Sequence, residues 1–260
     1  MAVNPSRRRH KRQTLAFSPW LDVVAIIAWG LVLLKYWITG KLYLLIHPNY
    51  AGLSVAAGFA LVAIGVWRGG MLRRRADPTT SIPTADHIAL FPPGWASLVL
   101  IVVAILGLVI TPRAFASQTA FQRGVTDALT MTRVKPQAFR GSSNSEDKSI
   151  VDWVRTLSVY PEPDAYTGQK AKVQGFVIHP PNLPDNYLLI SRFVITCCAA
   201  DVYPVSLPVK LKVSRNTYKP DTWFEVQGQM VTETLNGKRQ LAIAATELKS
   251  ISEPKNPYDY

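Results

Sequence analysis

PWLDVVAIIAWGLVLLKYWI, running from Pro19 to Ile38, carries one acidic and one basic residue in twenty positions. A helix of that length spans about 30 Å, the thickness of the hydrocarbon core of a bilayer. Ser18 reads as an N-cap, with Pro19 at the first helical position. Asp22 suits the positive end of the helix dipole. Lys35 and Trp37 suit the far interface, where a lysine snorkels and an indole prefers the headgroup level. Two further apolar runs follow. One, at 51–67, is rich in Gly and Ala; the other, at 95–111, is β-branched and uncharged, introduced by Pro92-Pro93-Gly94 and stopped by Pro112. Leu42 to Ile46 either extends the second run or lies at the interface. Three such runs with basic residues at alternate ends predict three transmembrane helices rather than the buried helices of a soluble protein.

The distribution of charge predicts their orientation. The 260-residue chain has a net charge of +12, yet residues 114–260 hold 17 basic residues against 14 acidic. Most of the excess lies in Arg7, Arg8, Arg9, Lys11 and Arg12, and in Arg68, Arg73, Arg74 and Arg75, beside the apolar runs. Lys and Arg concentrate in cytoplasmic loops. Segments 1–18 and 68–94 are therefore expected in the cytoplasm and 39–50 outside. An odd number of crossings then puts the C-terminal domain on the extracytoplasmic face of the plasma membrane. A nucleic-acid footprint would lie on the folded domain instead, so the expected partners include membrane lipid and no nucleic acid. The first run is too long for the apolar part of a signal peptide, and no small-residue cleavage site follows it. Ala114-Phe115-Ala116 does resemble one, so the third helix either stays as an anchor or is cut after Ala116.

The membrane domain is thus read as 1–113, a linker with short helices as 114–160, and a β domain as 161–260. In the linker, Gln118 to Thr132 is weakly amphipathic, and Arg140 to Ser145 reads as a flexible loop. Ile150, Trp153, Val154 and Leu157 recur at helical spacing, before prolines at 161 and 163. Five β-rich segments follow: Gln169–His179, Tyr187–Thr196, Tyr203–Val213, Thr222–Thr232 and Lys238–Ile251. Asn236-Gly237 is a strong hairpin signal. Gly175 and Gly228 sit where strands of a small barrel could bend. With a long third-to-fourth connection, the pattern predicts a five-stranded OB-like barrel, an open sandwich being the rival. The fold class expected is membrane α plus all-β.

Chemistry is sparse. Two cysteines exclude a disulfide-dense scaffold, and Ser-His-Asp, HExxH, Walker and GxGxxG patterns are missing, so no enzyme is expected. The unusual feature is Arg192-Phe-Val-Ile-Thr-Cys197-Cys198-Ala-Ala-Asp201. Adjacent Cα atoms are 3.8 Å apart, below the usual disulfide range, so a vicinal bridge is strained; in a strand the two side chains would face opposite ways. Three readings stay open for the pair. They are small packing residues, soft ligands for a thiophilic cation such as zinc or copper completed by Asp201 or His179, or a redox switch. The candidate metal ligands are therefore Cys197, Cys198, Asp201 and His179, although the C-x-x-C spacing of a structural zinc site is missing. His179 and His47, each before a proline, also read as ordinary loop residues.

The short spans, His47-Pro48 at the outer loop, the segment Arg192 to Asp201 and the ending Leu248 to Tyr258 together resemble a family of bacterial integral membrane proteins, the YcgQ-like family. The resemblance implies a subunit of a two-component permease acting beside a larger polytopic subunit. It marks Arg192, Cys197, Cys198 and Asp201 as family-typical positions without assigning roles. The functional expectation is an accessory permease subunit whose outer domain caps or gates the partner or binds its solute. The alternative is a membrane-anchored surface module sensing metal or redox state through the cysteine pair.

Overall fold

The computed structural model describes residues 5–74, 94–124 and 144–260, with side chains from residue 19 onward in the first stretch. The chain forms two compact units, Met1–Pro112 and Arg113–Tyr260.

The first unit holds α1 (Pro5–Ile38), a 3-10 turn (Lys41–Leu44), α2 (Pro48–Arg74) and α3 (Trp95–Val109). Within α1 the segment Pro19–Ile38 is long and apolar enough to cross a membrane, and so is α2. Only 22% of the first and 17% of the second is buried, whereas the core helix of a soluble protein is mostly covered. The expected start at Pro19 is not where the helix begins. α1 carries Pro19 in its interior, which costs the one backbone bond its missing N–H would have made. α3 is shorter than the third span expected at 95–111. Its 15 residues reach about 22 Å at 1.5 Å per residue, and Ile110 is already extended. Of the second basic cluster, Arg68, Arg73 and Arg74 lie in α2, whereas Arg75 and the rest of the 68–94 segment up to residue 93 lie outside the described residues.

Glycines let α1 and α2 touch. A Cβ on Gly30 would sit 2.7 Å from Val62 and 2.9 Å from the carbonyl oxygen of Gly58. Gly58, Gly65 and Gly69 are buried in α2, the small-residue seam by which apolar helices approach backbone to backbone. α1 and α3 are tied by polar side chains. Asp22 accepts from the Ser97 hydroxyl, Trp29 Nε1 donates to the Leu100 carbonyl at 3.1 Å, and Lys35 donates to the Leu108 carbonyl. The Tyr36 hydroxyl donates to the Gly107 carbonyl at 2.6 Å. Asp22 and Lys35, expected at the interfaces, thus make contacts to α3.

The second unit holds α4 (Ser117–Gln122), α5 (Ile150–Val159) and β1 (Lys170–Ile178), β2 (Tyr187–Val194), β3 (Tyr203–Lys210), β4 (Trp223–Leu235), β5 (Lys238–Ile251) and β6 (Tyr258–Asp259). α4 covers the start of the expected Gln118–Thr132 helix; the remainder from residue 125, and the expected loop up to residue 143, lie outside the described residues. α5 opens on a capping box, in which Ser149 accepts from the Asp152 amide and Asp152 accepts from the Ser149 amide. Its apolar face lays Ile150, Trp153 and Val154 on the core formed by Val173, Val177, Leu188, Ile190, Leu207, Val226, Met230 and Ile243.

The strands form a six-stranded sheet in the order β1-β4-β5-β3-β2-β6, and β1 pairs with β2 as well. The pairing of the first five strands therefore returns on itself. All are antiparallel except β3 with β5, where Val209 faces Ile243. Asn236 and Gly237 take φ of 53° and 75°, the two left-handed positions of a type I′ hairpin turn. Gly228 sits at a bulge in the β4–β5 ladder, and a Cβ there would collide with the Ala244 carbonyl oxygen. At Gly175 it would come within 2.5 Å of the Ser191 carbonyl. At these two positions the sheet folds backbone onto backbone.

The expected count of five strands misses β6. This two-residue strand runs parallel to the end of β2, Phe193 facing Tyr258 and Val194 facing Asp259. It explains why β1 alternates between exposed and buried only as far as Gly175 and is buried on both faces beyond it. The outer face there carries Phe176 stacked on Phe193 at 5.3 Å, with Trp223 and Tyr258 around them. Phe115, from the chain just before α4, packs on Phe193 and Tyr258. A second apolar cluster thus covers the sheet from outside.

Candidate functional site

β2 ends at Val194, so Cys197 and Cys198 lie in a loop and not in a strand. That changes their geometry: instead of pointing to opposite faces, the two sulfurs converge to 3.7 Å. Both thiols are free, Cys197 exposed and Cys198 half-buried. Asp201 holds the loop. Its Oδ2 accepts from the Cys197 amide at 2.7 Å and from the Thr196 hydroxyl. Its Oδ1 accepts from the amides of Cys198 at 3.3 Å and Thr196 at 3.4 Å. The Asp201 amide returns a bond to the Cys198 carbonyl at 3.0 Å. Burial pushes the Asp201 carboxyl up, but the donors from Thr196, Cys197 and Cys198 outweigh it and hold the group below the usual carboxylate range. The same carboxylate, and then the neighbouring Cys198, push the Cys197 thiol up to about 11.

His179 is elsewhere. It follows the end of β1, whose Ile178 faces Leu189 near the start of β2, whereas Cys197 follows the end of β2. Leu189 to Val194 alone covers about 17 Å of strand. Burial and the Arg215 guanidinium hold the His179 imidazole below its usual range, with backbone contacts at Tyr218 and Arg215 opposing; its Nε2 is buried without a hydrogen-bond partner. Of the candidate ligands, Cys197, Cys198 and Asp201 therefore share one loop, and His179 is not brought to it. Both Asp201 oxygens serve its own loop, and among the described residues no group of three or more His, Cys, Asp and Glu is placed to hold a metal ion. Beside His179, a crevice of about 40 Å³ lies between Pro180, Asn182, Leu183, Leu189, Pro208, Asn236 and Gln240. It holds about three waters and is much smaller than a pocket for a sizeable solute.

A half-buried ionic cluster adjoins the cysteine loop, and its assembly from α5, β2 and the C-terminal strand has no signal in the sequence. Arg192 donates to the Asn256 carbonyl at 3.2 Å, lies 3.8 Å from Asp259 and covers the Trp223 ring at 5.5 Å. Arg155, on α5, donates to the Tyr260 carbonyl at 3.1 Å. Burial pushes the Asp259 carboxyl up against the pull of Arg192. The Nε atoms of Arg155 and Arg192, the Tyr203 hydroxyl and Asp259 Oδ2 are buried without hydrogen-bond partners. The Ile195 amide, at the root of the cysteine loop, donates to the Asp259 carbonyl at 3.1 Å. The C-terminal strand is thus bonded directly to the chain that leads into Cys197.

Residues 130–260 match the DUF1980 C-terminal domain. The chain belongs to the DUF1980 family. The DUF1980 match takes in α5, all six strands, the cysteine loop and the Arg192–Asp259 pair, and it leaves the three apolar helices and α4 outside. No curated protein matches the chain. Of the positions that the sequence singled out, Arg192, Cys197, Cys198 and Asp201 lie together at one end of β2 in the DUF1980 domain, and His179 at the other.

Proposed function

We propose that this DUF1980 protein is an accessory subunit of a larger polytopic permease in the plasma membrane, with a cytoplasmic N-terminus, three membrane-spanning helices and an extracytoplasmic OB-like barrel that caps or gates the partner. The carrying observation is how the helical unit uses its polar groups. Asp22, Trp29, Lys35 and Tyr36 bond to α3, while Leu53, Phe59, Val99, Val103 and Leu106 are exposed. Such a unit offers lipid or a partner helix an apolar surface, and these four polar groups are spent on contacts between its own helices. Three helices are also few for a transporter built from repeats. The returning order of strands, with β3 and β5 parallel, agrees with an OB-like barrel. The YcgQ-like resemblance agrees with a permease setting.

Purification of the full chain in mild detergent tests the reading. A polytopic membrane protein is expected to accompany it in stoichiometric amount; a chain that purifies alone under cross-linking refutes it. The orientation is tested with Lys238→Cys on a Cys197→Ser/Cys198→Ser background, because Lys238 is exposed beside the hairpin whereas Asn236 has a left-handed φ that cysteine tolerates poorly. A membrane-impermeant thiol reagent is expected to label intact cells; labelling only after permeabilisation refutes the extracytoplasmic placement. The second reading, a surface sensor without a transport partner, is favoured by the converging thiols.

A further inference from the structure

From the geometry of the loop after β2 we infer that Cys197 and Cys198 form an open two-thiolate site for a soft divalent cation of the zinc type, which the protein takes up and hands on rather than keeps as a structural centre. The inference gives the sensor reading its ligand class and does not need the permease partner.

Three observations carry it. The first is the bite. Two thiolates on a tetrahedral zinc, each at about 2.3 Å, lie about 3.8 Å apart, and the two sulfurs stand at 3.7 Å. A linear two-thiolate ion would need them about 4.6 Å apart at the same bond length. The second is preorganisation. Four donors from Thr196, Cys197 and Cys198 converge on Asp201 and fix the backbone that sets the bite, although side chains of adjacent residues ordinarily diverge in extended chain. The third is incompleteness. Asp201 is committed to the loop, His179 is at the far end of β2, and among the described residues no third ligand completes a group. Cys197 is exposed and Cys198 half-buried, so the remaining coordination positions are left to water or to donors of another molecule. Structural zinc sites are closed by four protein ligands, and sites that exchange a ligand keep a position open.

The step balances without redox chemistry. Two S–H bonds break, two metal–sulfur bonds form, two protons pass to solvent and no electron moves. Release reverses it, an incoming donor set or two protons displacing the ion.

Cadmium is a suitable probe, because thiolate ligation gives an ultraviolet charge-transfer absorption. The full chain in detergent, with thiols reduced, is titrated with Cd²⁺ and its stoichiometry read by equilibrium dialysis. One ion per chain is expected, with an absorption that excess Zn²⁺ suppresses. Cys197→Ser and Cys198→Ser should each abolish the band and weaken binding at least tenfold, and His179→Gln should change neither. Thermal unfolding of the Cys197→Ser protein should match the wild type, since the side chain is exposed. Absence of a cadmium-dependent band in the reduced wild type overturns the inference. So does one ion per two chains, which means a closed four-thiolate site, or loss of the band in His179→Gln. A chain that purifies without a partner leaves the cadmium result standing, and failure to bind cadmium leaves the partner reading standing.

Discussion

Replacing Asp201 by Asn keeps the size of the side chain but removes the charge that Cys197 faces, and its amide NH2 can no longer accept from two of the loop's four donors. The Cys197 thiol is pushed from its ordinary 9.0 to about 11, with Asp201 the largest cause and Cys198 the next. At pH 8 a thiol at 11 is about 0.1% thiolate and one at 9 about 9%, so the reactive form increases roughly ninetyfold. A less basic thiolate is also a weaker nucleophile. With a Brønsted slope of about 0.4–0.5, a drop of two units costs about eightfold. Cys198 and burial also raise the thiol, so full reversal is the upper bound, and the expectation for Asp201→Asn is alkylation of Cys197 severalfold and at most about tenfold faster at pH 8, measured with iodoacetamide on the full chain. Fragment-ion mass spectrometry assigns the modified sulfur, because cleavage between residues 197 and 198 separates the pair. A rate within twofold of wild type refutes the argument that the Asp201 carboxylate controls this thiol.

The remaining predictions concern folding. Trp153 is fully buried, edge-on to Tyr166 at 6.1 Å and under the Lys148 ammonium at 4.5 Å. Trp153→Ala should cost about 3–5 kcal/mol in urea unfolding followed by circular dichroism, and a loss below about 1 kcal/mol would mean that α5 is not part of the core. Gly228→Ala drives a methyl into the Ala244 carbonyl at the bulge and should cost about 1–3 kcal/mol by the same assay; no loss would mean the bulge is misplaced. In the helical unit, Gly30→Leu should separate α1 from α2, read as loss of cross-linking between cysteines placed at 37 and 59, where the Trp37 and Phe59 rings meet at 6.3 Å. Asp201 is held below 3.8 by its donors, so its stabilisation of the loop is complete above that pH. It is lost as pH falls through the lowered value. Hydrogen exchange at the Cys197 and Cys198 amides, corrected for intrinsic rate, should accelerate only in that acid range; acceleration already at pH 6 refutes the assignment.

Much of the β domain was legible because its signals are local. β1 through β5 fall within two or three residues of the segments marked by alternation and turn chemistry. Asn236-Gly237 forms the turn its φ preferences require, and Gly175 and Gly228 stand where backbones meet. β6 was not legible: two residues, Tyr258 and Asp259, have no periodicity, and they become a strand only because the end of β2 offers them a partner. Nor could Phe115, Phe176, Phe193, Trp223 and Tyr258 be read as one cluster, since they come from segments far apart in the chain.

The candidate site divides the same way. Residue order alone determined that two thiols stand side by side and that an acid follows three residues later. It also determined that three apolar runs precede an alternating β region, because bond connectivity and hydropathy are carried by each residue and its neighbours. Only the tertiary structure decided that β2 stops at Val194, with the cysteines left in the loop beyond it, and that His179 lies a strand's length away. Those outcomes depend on where backbone hydrogen bonds between distant segments begin and end, and no window of sequence contains both partners of such a bond.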